Sequence, residues 1–107
     1  MKVIEIRPLH QGMDAISVVE LDGSLESLQE AVGGLIELAP APASDFPYLM
    51  LTDEEGMLKG KDINSFGHAG ITLLLKNDED DPTEMRGLTD KEIDFFYNVF
   101  SIAVGEQ

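Results

Sequence analysis

Carboxylates are the most abundant groups in the sequence that could do chemistry, and they are concentrated in two short runs. The first run is Asp53, Glu54 and Glu55, and the second is the acidic loop, residues 77–84, which carries Asp78, Glu79, Asp80, Asp81 and Glu84. Hard cations such as calcium need several oxygen ligands, but the spacing and central glycine of an EF-hand loop are missing, so we expect no metal site. One interpretation is that both runs form a row of charges that mimics phosphates for a protein partner with a basic surface. The other is that the acids only support solubility.

Basic side chains are locally concentrated at one place, where Lys59 and Lys61 stand close to Asn64. Two ammonium groups beside an amide could receive a small anion through charge-assisted hydrogen bonds. A module that binds a nucleotide or a similar anion is therefore the alternative function.

Catalytic residues are not recognisable in the sequence. His68 follows Ser65 by three residues, and this spacing on a loop is no evidence for the contact that a serine nucleophile needs with its base. The G-x-S-x-G elbow of many hydrolases is missing, and the chain has no cysteine. We therefore predict a non-enzymatic protein without a cofactor.

The overall charge limits the kinds of partner. With seven basic and 21 acidic residues, the formal net charge is −14. A surface of this sign repels nucleic-acid phosphates and anionic membranes. It accelerates the encounter with a basic protein surface, so a protein is the expected partner.

Length and composition predict one cytoplasmic domain that spans residues 1–107. A chain of 107 residues with 43% hydrophobic residues suits a single globular domain. The absence of cysteine favours a reducing compartment. The opening MKVIEIRP alternates in polarity, unlike the apolar stretch of a signal peptide, and no apolar run approaches the ~20 residues that span a bilayer.

β-Strands are predicted at five places, residues 2–8, 15–22, 35–40, 48–52 and 71–76, from alternation or from a short apolar run. The first two should form an antiparallel hairpin. The last is apolar almost throughout, which predicts a central strand that is covered on both faces. Residues 57–60 could add a short paired strand before a glycine-rich loop at 61–70.

Two helices are predicted from their end signals. Ser24 suits the N-cap of the first helix, and Gly33 suits its left-handed C-terminal position. Because Gly33 and Gly34 follow the helix, they do not form a phosphate-binding loop, whose glycines precede a helix. Thr89 and Glu92 have the spacing of a capping box at the start of the second helix.

The second helix carries two apolar stripes. The predicted core face comprises Ile93, Phe96, Tyr97, Phe100 and Val104, the second stripe comprises Phe95, Val99 and Ile102, and Gly105 should end the helix. The second stripe would suit either a cover of loops or a symmetric partner subunit, and the second alternative would be a homodimer through this helix.

Together these elements predict an α+β fold in the order ββαβββα. It is a mostly antiparallel sheet of about five strands with two helices on one face.

Several stretches together resemble a family of short uncharacterised proteins from phages, plasmids and the bacteria that carry them. They are the opening MKVIEIRP, the block LESLQEAVGGLIE, the turn EEGMLKG with Asn64, and the closing LTDKEI. The resemblance implies a single α+β domain and no known enzymatic activity. Any site shared by the family would include Glu55, Gly56, Lys59 and Asn64. Small phage proteins often bind host or competing defence proteins, which is the function that the resemblance implies.

Overall fold

The computed structural model describes residues 1–9, 13–40, 45–81 and 83–100, with the backbone alone for Phe100. Within these residues the fold is α+β, with six strands and two helices. In chain order they are β1 (Lys2–Pro8), β2 (Asp14–Glu20), α1 (Leu25–Val32), β3 (Ile36–Ala39), β4 (Leu49–Asp53), β5 (Thr72–Asn77), β6 (Met85–Arg86) and α2 (Asp90–Phe100). No helix in the described part of the chain is long and apolar enough to cross a membrane.

The sheet is antiparallel, and its strands follow the order β2-β1-β5-β4-β3, with β6 paired to β5. The predicted hairpin of the first two strands is confirmed, with a register that runs from Lys2 opposite Glu20 to Pro8 opposite Asp14. β5 occupies the centre, and its residues 72–75 are all buried. The prediction of a central strand covered on both faces is therefore confirmed.

The two helices lie on opposite faces of the sheet, and our prediction of two helices on one face was wrong. Consecutive residues of a strand point to opposite faces. Leu73 and Leu75 pack in one core cluster with Leu28 of α1. Leu74 packs in the other cluster with Phe96 of α2. A central strand that is apolar on both sides creates two apolar faces, and each of them needs a helix to cover it.

The face covered by α2 is joined to that helix through Tyr48, which stands just before β4. The rings of Tyr48 and Phe96 meet edge to face, with centroids 5.9 Å apart. The Tyr48 hydroxyl donates a hydrogen bond to the Glu92 carbonyl at 2.5 Å. A buried hydroxyl needs such a partner, and this bond fixes the first turn of α2 against the sheet.

Both predicted ends of α1 and the predicted start of α2 are confirmed. Ser24 Oγ accepts a hydrogen bond from the Ser27 backbone N–H at 3.1 Å, and Gly33 is left-handed with φ of +83°. The Thr89 hydroxyl accepts from the Glu92 backbone N–H, while the Glu92 carboxylate accepts from the Thr89 N–H. Both capping patterns are local, which is why the sequence predicts them well.

The two stripes of α2 differ in exposure. Ile93 and Phe96 of the predicted core face are buried, whereas Phe95 and Val99 of the second stripe are about half exposed, at 48% and 52%. The side chain of Phe100, together with Ile102, Val104 and Gly105, lies outside the described residues.

The structure differs from the predicted elements at two places. Residues 57–60 form successive turns and not a strand, because the N–H groups of Lys59 and Gly60 bond back to the carbonyls of Glu55 and Met57. β6 directly follows the acidic loop and was not predicted, because its two residues are too few to show alternation.

Candidate functional site

Asp53 ends β4 and lies beneath two lysine side chains. Its carboxylate is fully buried, and Oδ2 accepts hydrogen bonds from Lys59 Nζ at 2.8 Å and from Lys61 Nζ at 2.7 Å. Oδ1 accepts from the Glu55 backbone N–H at 2.9 Å. Burial raises the pKa of Asp53, but the hydrogen bonds from the two lysines and from Glu55 outweigh it and hold this pKa well below its ordinary value.

The same two lysines bind the C-terminal end of α1. Lys59 Nζ donates to the Gly33 carbonyl and Lys61 Nζ to the Val32 carbonyl, both at 3.1 Å. Carbonyl groups at this end of a helix lack partners within the helix and attract cations. The lysines therefore join α1 to the chain that follows β4.

Glycine is needed where α1 approaches this cluster. A Cβ atom on Gly34 would lie 2.6 Å from both Asp53 Oδ1 and Lys59 Nζ. The second glycine of the pair thus makes room for the ion pairs, whereas Gly33 provides the left-handed helix end.

The chain from Asp53 to Lys61 is a compact element, which we name the anchored turn (residues 53–61). The Gly56 N–H donates to the Asp53 carbonyl, and the Lys61 N–H donates to the Gly56 carbonyl. A Cβ atom on Gly56 would lie 2.6 Å from the Ala69 carbonyl oxygen, so the turn also rests closely on the loop at 61–70. Its conformation is held by side-chain and backbone contacts together.

The outer surface of the anchored turn is apolar and acidic. Met57 is 74% exposed and Leu58 is 86% exposed, and they are the two most exposed large apolar side chains of the described residues. Glu54 and Glu55 beside them are also exposed. The sequence analysis did not identify Met57 and Leu58 as surface residues. An apolar pair that directly follows Glu-Glu-Gly in a turn could have indicated their exposure.

The predicted anion site at Lys59, Lys61 and Asn64 does not form as one group. The lysines meet at Asp53 on the face of the sheet covered by α1. Asn64 is buried and bonds toward the other face, where Nδ2 donates to the Gly70 carbonyl and to Thr72 Oγ1. Its Oδ1 accepts from the backbone N–H groups of Phe66 and His68. All these bonds shape the loop at 61–70, so Asn64 has a structural role.

A shallow pocket of about 250 Å³ lies beside Lys61. Arg7 contributes a second cation to its lining, while Asp62 adds a negative charge. Sequence reasoning missed Arg7 because it is distant in the chain and reaches the pocket through the pairing of β1 with β5.

Local bonds organise the acidic loop. Asp78 Oδ1 accepts from the Asp80 N–H at 2.8 Å, and Asp81 Oδ1 accepts from the Thr83 N–H and hydroxyl. The Thr83 bonds lower the pKa of Asp81. Asp80 and Asp81 are exposed and Asp78 is half-buried, so the loop presents negative charge to solvent.

Glu79 of the acidic loop is paired with Arg86, which lies in β6. The Arg86 guanidinium contacts Glu79 at 2.6 Å and Glu92 at 2.9 Å. The hydrogen bonds from Arg86 lower the pKa of both carboxyls, and that of Glu92 falls to about 2. Glu79 therefore helps to fix the loop to α2, and its charge is largely compensated.

The two acidic runs do not form one row, which corrects that part of the mimicry prediction. Leu49 pairs with Leu75 and Leu51 with Leu73, so β4 and β5 run in opposite directions. The anchored turn and the acidic loop therefore leave the sheet at opposite ends, roughly 15–20 Å apart at ~3.3 Å per strand residue. In addition, Asp53 is buried and cannot face a partner.

The residues considered for catalysis have structural contacts. The Ser65 backbone N–H donates to Asp14 Oδ2 at 2.9 Å, and the His68 N–H donates to Asn64. Asp14 is buried and was not predicted to take part in any site. In the described part of the chain, no three or more His, Asp or Glu side chains are grouped so that they could hold a metal ion.

Most basic side chains are bound to the protein's own acids. Six of the seven lysines and arginines form ion pairs within the described residues, namely Lys2, Arg7, Lys59, Lys61, Lys76 and Arg86. These cations share few acidic partners. Asp53 pairs with both Lys59 and Lys61, and Glu92 pairs with both Lys76 and Arg86. In the described part of the chain, most of the acids therefore form no ion pair with a lysine or arginine.

Comparison with known proteins identifies a family without an assigned activity. A family model described as a domain of unknown function, DUF3846, matches residues 1–101. A search of the curated proteins found no match, and a search of the solved structures found none either.

Proposed function

The chain belongs to the DUF3846 family, and we propose that it is a non-enzymatic binding protein that engages a basic surface on another protein. The partner is a protein of the bacterial host or of a competing defence system, met in the cytoplasm by a phage or mobile element. The site that contacts it is the acidic loop, with Asp78, Asp80 and Asp81 as its charged groups.

The observation that carries this proposal is that, among the described residues, most cations are ion-paired within the protein while many carboxylates are not. Six of the seven cations are ion-paired within the protein, while the net charge is −14. The exposed carboxylates therefore produce a negative electrostatic field that few cations of the protein reduce. Such a field accelerates encounter with a basic surface and disfavours acidic partners.

The acidic loop suits this role because its carboxylates are held in place locally. Asp78 and Asp81 each use Oδ1 to accept hydrogen bonds within the loop, so the loop is already organised before a partner arrives. An organised loop loses less conformational entropy on binding, which strengthens the complex.

The experiment is an affinity capture from a lysate of the bacterial host at low and moderate salt, followed by mass spectrometry. The test variant D78N/D80N/D81N removes three charges but keeps the Oδ1 acceptors that organise the loop. The matched control E30Q/E37Q/D94N removes three charges at exposed positions elsewhere. We expect one basic protein that the test variant loses and the control keeps. Capture that is insensitive to salt and to both variants contradicts the proposal.

A second candidate function is a small-anion module, and the pocket beside Arg7 and Lys61 favours it. It ranks lower because Lys61 is already bound to Asp53 and to the Val32 carbonyl. Asn64 lies outside this pocket. A thermal-shift screen with phosphate, nucleoside monophosphates and nucleoside triphosphates tests it. A rise in melting temperature that R7Q removes supports the module, and no rise with any of these anions overturns it.

A further inference from the structure

The tip of the anchored turn exposes two large apolar side chains that contribute little to the core. Met57 and Leu58 follow each other in sequence and are 74% and 86% exposed. Exposure of two adjacent apolar side chains is unfavourable in water, at about 25 cal/mol for each Å² that a partner could bury. Neighbouring exposed apolar side chains are typical of interaction surfaces.

The base of the same turn is held by hydrogen bonds to a buried carboxylate. The buried Asp53 carboxylate receives hydrogen bonds from Lys59, Lys61 and the Glu55 N–H. Buried ion pairs contribute little net stability, because desolvation of the charges offsets their attraction, but they can fix one conformation. These contacts hold the backbone on both sides of Met57 and Leu58.

The charges beside the apolar pair define the partner. Glu54 and Glu55 are exposed next to Met57 and Leu58, whereas Lys59 is already paired with Asp53. The exposed apolar pair thus lies within three residues of two exposed carboxylates. The complement of this arrangement is an apolar pocket with lysines or arginines at its rim.

We propose that the anchored turn is a preformed docking element whose Met57 and Leu58 side chains enter an apolar pocket with a basic rim on a partner protein. This inference rests on the proposed function, since it specifies a second contact to a basic partner. It adds a site at the end of the sheet opposite the acidic loop.

The experiment is site-specific photo-crosslinking in the bacterial host. Leu58 is replaced by p-benzoylphenylalanine in the full chain, and a control carries the same residue at Leu25, which is 59% exposed at the start of α1. We expect a light-dependent adduct with one protein from position 58 only. The crosslinked peptide should lie in an apolar pocket lined by basic residues, and E54Q/E55Q should reduce the yield several-fold. An adduct equally strong from position 25, or no protein adduct from position 58, overturns the inference.

A second measurement separates this inference from the proposed function. The M57S/L58S variant is compared with D78N/D80N/D81N in the affinity capture. If the acidic-loop variant loses the partner and M57S/L58S keeps it fully, the docking element is refuted and the proposed function stands. If M57S/L58S loses the partner and the acidic-loop variant keeps it, the docking element is supported and the acidic loop is not the contact. If both variants keep it, both proposals fail.

Discussion

The anchored turn and the acidic loop both follow a strand and both are rich in carboxylates, but they are built in different ways. The anchored turn buries the Asp53 carboxylate, which accepts hydrogen bonds from the Glu55 N–H and from Lys59 and Lys61 of the same turn. The two lysines also donate to carbonyl groups at the C-terminal end of α1. The acidic loop keeps most of its carboxylates exposed and uses them to accept hydrogen bonds from residues two positions away. A run of acids can therefore be a structural anchor or a solvated surface, and tertiary contacts decide which.

The largest expected effect comes from removing the anchor. Asp53→Ala leaves two ammonium groups without their shared carboxylate, and breaking a buried pair typically costs 3–5 kcal/mol. Because the lysine side chains are 38% and 27% exposed, they regain some hydration, and we expect a loss of about 3 kcal/mol. Urea unfolding measures it. The control Asp80→Ala in the acidic loop should change the free energy of unfolding by less than about 0.5 kcal/mol. Equal effects at both positions would show that the two runs do not differ.

A smaller effect is expected from Gly34→Ala. The new methyl group would lie 2.6 Å from Asp53 Oδ1 and Lys59 Nζ and would push the ion pairs apart. Overpacking of this kind costs about 1–3 kcal/mol. Thermal unfolding at neutral pH checks it, and a variant as stable as the parent protein would contradict the close approach of α1 to the turn.

The pH dependence of stability should reveal the ion pair that fixes the acidic loop to α2. Hydrogen bonds from Arg86 lower the pKa of Glu92 from its ordinary value to about 2 in the folded protein. Because the folded pKa is below the unfolded one, this stabilisation is complete above about pH 4.5 and is lost as the pH falls toward 2. Glu92→Gln should remove that part of the slope, as measured by urea unfolding between pH 2 and 6. An unchanged slope would contradict the Arg86 contact.

The smallest effect on stability is expected at the tip of the anchored turn. M57S/L58S replaces two strongly exposed side chains, and we expect the free energy of unfolding to change by less than about 0.5 kcal/mol per position. Chemical denaturation of this variant and of Asp53→Ala compares the contribution of the tip to the free energy of unfolding with that of the Asp53 ion pairs. A loss above about 2 kcal/mol would mean that the tip belongs to the core, and the docking element would then lack its basis.

Local signals made much of the fold predictable. Ser24, Gly33 and the pair Thr89 and Glu92 are helix-end residues whose partners lie within a few positions, and the structure confirms each of them. The apolar run of β5 likewise predicted its central position. The placement of the helices was predicted wrongly, because each of the two apolar faces of β5 needs one helix to cover it.

The site was less predictable because its contacts are distant in sequence. Nothing local indicates that Asp53 is buried, since its position depends on lysines six and eight residues later and on the end of α1. Asn64 looked like a ligand-binding amide beside lysines, yet it hydrogen-bonds Thr72 across its own loop. Residue types alone did not distinguish these structural roles from binding roles.

The most direct test of the proposed function is to measure the affinity of the captured partner for the parent protein and for the two triple variants. Isothermal titration calorimetry at two salt concentrations gives these affinities. We expect D78N/D80N/D81N to weaken binding about tenfold or more, and E30Q/E37Q/D94N to change it much less at the same net charge. The difference should shrink as salt rises, because exposed charges are screened. Equal affinities for the two triple variants would show that the acidic loop is not the contact, and would contradict the account.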